Sequence, residues 1–173
     1  MAFAYSVKNQ QAIHFLTFTV VEWADVFSRK LYTDIIIESL KYCQQQKGLK
    51  LFGWVIMTNH IHLIAGCTHP HKVSDFIRDF KKYTSKQIVA AIEGNLQESR
   101  RGWLLHLFRQ DMGAIFWQPD NHAVEITSKK FFDQKLKYLH QNPVRAGYVF
   151  KEEDWAMSSA GNSKLLEMAS WHE

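Results

Sequence analysis

Hydrophobic residues in this chain recur at two different spacings. Ile13 to Trp23 reads Ile-His-Phe-Leu-Thr-Phe-Thr-Val-Val-Glu-Trp, a run of β-branched and aromatic side chains that predicts a strand. From Arg29 to Lys47 the apolar positions Leu31, Ile35, Leu40 and Cys43 suit an amphipathic helix, and Gly48 ends it. Leu49 to Met57 and His60 to Ala65 read as two strands joined tightly across Thr58-Asn59. Val73, Phe76, Ile77, Phe80, Thr84 and Ile88 return to helical spacing, which predicts a second long helix from about Lys72 to Ile92.

Glu93 to Gln110 carries no clear period; Gly94-Asn95 and Arg101-Gly102 indicate loop with a short helical piece. Ile115 to Ile126 is expected to contain a fourth strand in spite of Pro119. Ser128 is a good N-cap for a helix running to about Gln141, and Pro143 is expected to stop it. The order β-α-β-β-α-β-α gives an α+β fold. Its first six elements match the ferredoxin-like pattern, an antiparallel sheet with helices on one face, and the last helix is an addition. No repeat, low-complexity tract or linker divides the chain, so one domain over 1–173 is expected, its core at about 13–160.

Composition narrows the class without naming a function. The 173 residues are 46% hydrophobic and 22% charged, enough to bury an ordinary core and unlike a disordered segment. Leu51 to Met57, among the longest apolar runs, is too short to span a bilayer, and the first residues lack the features of a signal peptide. Cys43 and Cys67 are the only cysteines and form no CxxC, so a reducing cytoplasm is expected rather than a disulfide scaffold or zinc ribbon. A net charge of +4 is compatible with a polyanionic partner but does not require one.

The candidate chemistry lies in two separated stretches. In Asn59-His60-Ile61-His62-Leu63-Ile64, residues two apart on a strand share a face, so His60 and His62 stand side by side while Ile61 and Leu63 face the core. Two imidazoles so placed can hold one metal ion and leave coordination positions open for a substrate. The same spacing also suits two half-buried histidines satisfied by backbone. In Tyr138-Leu139-His140-Gln141-Asn142, Tyr138 and Asn142 are one helical turn apart on a common face. They can act as nucleophile and amide ligand, but spacing alone favours an interfacial tyrosine and a helix cap. His14 could border the metal or pack, His140 faces away from Tyr138 toward the surface, and Pro70 spoils the geometry of His69-Pro70-His71.

Taken in order, these stretches resemble a known family. Val55 through Ile64 looks like the His-hydrophobic-His motif of single-tyrosine transposases of the IS200/IS605 type. Tyr138 through Val149, with Asn142-Pro143-Val144-Arg145-Ala146-Gly147, resembles the tyrosine-helix motif of their REP-associated branch. Phe116-Trp117-Gln118 and Asp154-Trp155-Ala156-Met157-Ser158-Ser159-Ala160 are similar to that branch too, so the likeness runs from about Ile13 to Ala160. Thr58 stands where proline is common, and Pro119-Asp120-Asn121-His122 replaces an expected aromatic, which bears on substrate contacts rather than reaction class.

The resemblance implies metal-dependent cleavage and rejoining of single-stranded, hairpin-containing DNA through a 5′-phosphotyrosine intermediate. It implies Tyr138 as nucleophile, His60, His62 and Asn142 as ligands of Mg²⁺ or Mn²⁺, and either a monomer or a dimer that exchanges the tyrosine helix. Arg78, Lys81, Lys82 and Lys86 on the second helix, Arg100, Arg101 and Arg109 in the irregular segment, and Arg145 are candidate phosphate contacts. Exposed Trp or Tyr side chains could stack on unpaired bases. Two other readings stay open: a domesticated hairpin-binding protein that does not cut, and a metal-dependent hydrolase that uses water.

Overall fold

A computed structural model describes residues 6–110, 113–120, 122–162 and 164–171. Its strands are β1 (His14–Thr19), β2 (Leu49–Ile56), β3 (His60–Cys67), β4 (Arg109–Gln110), β5 (Gly113–Ala114) and β6 (His122–Glu125). The α-helices are α1 (Lys30–Gln46), α2 (Val73–Gly94), α3 (Arg101–Phe108) and α4 (Lys129–Arg145). A four-stranded sheet runs in the order β2-β3-β1-β6 with antiparallel pairing throughout, the arrangement expected of a ferredoxin-like core. The fourth strand is much shorter than Ile115 to Ile126. Trp117 makes only an isolated bridge to Val20, and β6 begins at His122, because Pro119 has no N–H to continue a ladder.

Strand alternation divides the core into two layers. Leu16, Phe18, Ile61, Leu63 and Ala65 face α1 and α2, where they pack with Ile36, Leu40, Phe76, Phe80 and Trp117. Phe15, Val55 and Ile64 face the other way, against Phe132 and Leu139 of α4. Burying each such side chain is worth roughly 1.5–3 kcal/mol, so both faces need their cover. The added helix therefore lies on the face opposite α1 and α2 and completes a three-layer arrangement.

A shift of register between Leu51 and Gly53 brings Phe52, Gly53 and Val55 all toward the α4 layer. A Cβ at Gly53 would lie 2.6 Å from Leu136 Cδ1, so the missing side chain lets α4 approach closely.

Beyond α4 the chain returns along β2. Ile56 N–H donates to Met157 O at 2.8 Å, Ser159 N–H to Trp54 O at 2.9 Å, and Ala169 N–H to Leu51 O at 2.7 Å. Trp155 Nε1 also donates to Ile56 O, at 3.0 Å. These bonds cover the outer edge of β2 and hold the end of α4 against its own sheet.

Helix α4 does not stop before Pro143 as the sequence pattern predicts. It runs through to Arg145, with Ser128 Oγ accepting from Phe131 N–H at 3.2 Å at its start. A proline so near the end removes only one ladder bond. Ala146 N–H still reaches Asn142 O and Tyr148 N–H reaches Pro143 O, both at 3.0 Å, while Gly147 takes φ 79° to turn the chain away. Asn142 is thus an internal helical residue rather than a cap.

Candidate active site

The site forms where β3 meets α4. His60 and His62 lie on the face of β3 that looks toward α4, with ring centroids 4.8 Å apart and planes inclined at 72°. Tyr138 projects from α4 beside them, its ring 5.7 Å from that of His62. The Asn142 side chain, one turn further along α4, lies near enough to His60 to influence its protonation. Tyr138 is 42% exposed whereas His62 is only 6% exposed, so the phenol is open to solvent and the imidazole beneath is enclosed. One chain contributes all four side chains.

Each histidine is held by one ring nitrogen. Thr17 sits opposite His62 in the β1–β3 register, and its Oγ1 lies 2.9 Å from His62 Nδ1. His60 Nδ1 lies 2.7 Å from Asn59 Oδ1. In both rings the Nδ1 partner leaves Nε2 as the atom for a ligand, the usual way outer groups orient metal-binding imidazoles. Phe15 stacks on His62 with centroids 5.0 Å apart and meets the edge of Tyr138 at 5.8 Å.

Electrostatics keep these rings neutral. Burial pushes the His62 imidazolium down to about 3, with His60, Arg145 and Lys135 adding repulsion. Burial also lowers His60, opposed by the neighbouring Asn142 side chain, whose oxygen favours the protonated ring. Neutral imidazoles at physiological pH are the form that binds metal. The donor set fits a divalent ion: two oriented nitrogens and an amide oxygen, with an open side toward Tyr138. Among the described residues no group of three or more His, Cys, Asp or Glu could hold a metal ion, so a third ligand from the protein has to come from another residue type.

Two cations flank the tyrosine. Arg145 Cζ lies 4.3 Å from the centre of the Tyr138 ring, and its Nη2 donates to Tyr138 O at 2.9 Å. Lys135 Nζ lies 5.5 Å from the same ring and 4.9 Å from that of Phe15. Lys135 was legible from helical spacing, since it precedes Tyr138 by three residues on the same face, but its meaning depended on knowing what that face meets. Thr17 carried no such signal, because cross-strand register cannot be read from one strand.

The turn above His60 holds another group. Glu22 and Trp23 both adopt φ 53°, which costs a residue with a side chain roughly 1–2 kcal/mol. Trp23 is 57% exposed, and its ring centroid lies 5.9 Å from that of His60.

The remaining sequence candidates lie apart from this site. Arg78 pairs with Asp75 and Asp79 at 2.9 Å each. Lys81 donates to Gln118 O at 2.8 Å, and with Lys82 and Lys86 it borders a groove against Ile115 and Trp117 in the α2 layer. Arg100 binds the buried Glu98 at 2.9 Å, Arg101 donates to Glu93 O at 2.8 Å, and Arg109 pairs with the Glu93 carboxylate at 2.6 Å. Of the eight basic candidates only Arg145 touches Tyr138. His14 alternates onto the opposite face from His62, is 2% exposed and bonds Ala12 O through Nδ1. His140, expected at the surface, is instead half-buried and bonded to Ser159 Oγ at 2.7 Å, because the returning chain covers that side of α4.

A structure described as a REP-associated tyrosine transposase bound to a REP hairpin is similar over 94% of this chain and 84% of its own, with a TM-score of 0.69 and 17% identity. A crystal structure of a candidate transposase from Deinococcus radiodurans R1 is similar over 82% of this chain and 97% of its own, with a TM-score of 0.50 and 18% identity. At these identities the likeness is one of fold. No curated protein matches in sequence. The family model described as "Transposase IS200 like" matches residues 8–142, which takes in His60, His62, Tyr138 and Asn142, and the chain belongs to that family.

Proposed function

We propose that this transposase cleaves and rejoins single-stranded DNA at hairpins, with Tyr138 as the nucleophile. The observation that carries the reading is the convergence of Tyr138 with His60, His62 and Asn142 on one face of one chain. Tyr138 Oη attacks the scissile phosphorus, the bond to the 3′ oxygen breaks, and a 5′-phosphotyrosine forms while that oxygen leaves as a 3′-hydroxyl. The phenolic proton passes to solvent as the P–O bond forms, and the leaving 3′ oxygen takes up a proton from solvent. A second 3′-hydroxyl attacking the same phosphorus reverses the step and joins a new strand, so the ester energy is conserved.

His60, His62 and Asn142 would hold Mg²⁺ or Mn²⁺, which supplies Lewis-acid stabilisation of charge on the phosphate. Thr17 and Asn59 fix the two imidazoles. Arg145 and Lys135 place positive charge beside the phenol, where a phosphodiester must enter. Because every group comes from one chain, the geometry supports a monomer as the working unit. The similar structure bound to a REP hairpin supports hairpin DNA as the substrate class.

Incubation with single-stranded hairpin oligonucleotides and Mg²⁺ or Mn²⁺ tests the proposal. A covalent protein–DNA adduct on denaturing gels is expected. Binding without an adduct would favour a hairpin-binding protein that does not cut, and cleavage without an adduct would favour attack by water.

A further inference from the structure

Trp23 has no core to serve, yet the fold holds it in place. Its indole stands 57% exposed while its backbone and that of Glu22 are both left-handed, a conformation few side-chain-bearing residues adopt. Such strain persists only where surroundings enforce it, and here they do so at both ends of the turn. Val20 N–H donates to Asn59 O at 2.9 Å and Phe27 N–H to Thr58 O at 2.8 Å, tying the turn to the residues just before His60. Trp23 N–H donates to Val20 O at 3.0 Å, and Asn59 Nδ2 reaches Trp23 O at 3.4 Å. Asn59 therefore contacts both the Trp23 backbone and the His60 ring.

Three other exposed aromatics are placed differently. Tyr148 is stacked on Trp155 with centroids 5.4 Å apart, and Tyr42 and Tyr83 border a groove between α1 and α2, away from Tyr138. Trp23 instead meets His60 at 5.9 Å, with the ring planes inclined at 72°, and more than half of it stays exposed.

We infer that Trp23 is a stacking platform for an unpaired nucleobase next to the scissile phosphate, and so positions that phosphate between His60 and Tyr138. The inference rests on the cleavage reading above. An indole face beside a phosphate site suits a single-stranded nucleic acid, because every base offers a π-face and stacking tolerates sequence. The rigid turn removes the ordering cost that a mobile side chain would add on binding. Trp23 is a positioning residue: it acts on the base, while Tyr138 acts on the phosphorus.

The test is a cycle between the ring and the base, run on the full chain with a hairpin oligonucleotide that forms the adduct. Abasic sites are placed one at a time on either side of the cleaved bond, and initial rates of adduct formation are compared. Trp23→Ala and Trp23→Phe both keep a Cβ on the left-handed backbone, so their difference isolates the ring. For the intact oligonucleotide, Trp23→Ala is expected to slow the adduct roughly 5- to 150-fold at low DNA concentration, and Trp23→Phe to recover most of that. At one flanking position the abasic penalty should be large in the parent protein and vanish in Trp23→Ala. An adduct with abasic penalties unchanged in Trp23→Ala would overturn the inference alone. Failure of the parent protein to form any adduct would overturn the cleavage reading and this inference with it.

Discussion

Thr17 Oγ1 and His62 Nδ1 lie 2.9 Å apart across the β1–β3 ladder, at positions paired in register. That contact fixes which way the most enclosed ring of the site turns its free nitrogen. Thr17→Val keeps the shape and β propensity of the residue but removes the hydroxyl. Outer groups of this kind typically contribute 10- to 100-fold to metal affinity, so Thr17→Val is expected to weaken Mn²⁺ binding by about that factor. Calorimetric titration of parent and variant measures it; equal affinities would show that the hydroxyl does not orient His62.

Arg145 bonds the Tyr138 carbonyl and overlies its ring, and Lys135 approaches from the preceding turn. Removing one charged donor aimed at a transition state commonly costs about 10²-fold or more in rate. Arg145→Gln and Lys135→Gln are each expected to slow adduct formation by roughly that factor at saturating DNA. Single-turnover rates over a DNA titration separate this from weaker binding, in which the rate at saturation would be unchanged.

Glu98 gives a pH prediction that does not involve the site residues. Hydrogen bonds from Arg100 hold its carboxyl at about 2, below the ordinary 4.5, and Arg29 adds attraction at 3.6 Å. A depressed carboxylate stabilises the fold fully above the unfolded value, and the benefit is lost as pH falls from about 4.5 toward 2. Both arginines reach solvent, so the contribution is on the order of 2 kcal/mol. Thermal unfolding between pH 6 and pH 2 should show a shallower acid loss in Glu98→Gln than in the parent. Equal slopes would mean that the carboxylate is not held this way.

Each half of the site was legible in the sequence, while their meeting was not. Strand alternation placed His60 and His62 together with no further information, since a period of two depends only on backbone geometry. Helical spacing likewise put Tyr138 and Asn142 on one face. That the two faces meet was not legible, because docking α4 on β3 depends on Gly53, on the shifted register of β2 and on the chain that returns along its edge. The α+β order and the antiparallel pairing followed from periodicity, while the end of α4 and the extent of β6 did not. Pro143 stops a helix only where lost ladder bonds are not replaced, and here the Gly147 turn supplies others. The basic residues were the least legible: charge is visible in a sequence, but the carboxylate that binds Arg78, Arg100 or Arg109 is not.

The most direct test of the account is the chemistry of the covalent link itself. A cleavable hairpin oligonucleotide, labelled at either its 5′ or its 3′ end, is incubated with the protein and Mn²⁺ and resolved under denaturing conditions. If Tyr138 is the nucleophile, only the 3′-labelled fragment stays on the protein, because the tyrosine carries the 5′ phosphate. Peptide mapping should then place the nucleotide on Tyr138, and Tyr138→Phe should form no adduct. Cleavage that persists in Tyr138→Phe, or an adduct that maps to another residue, would contradict the account.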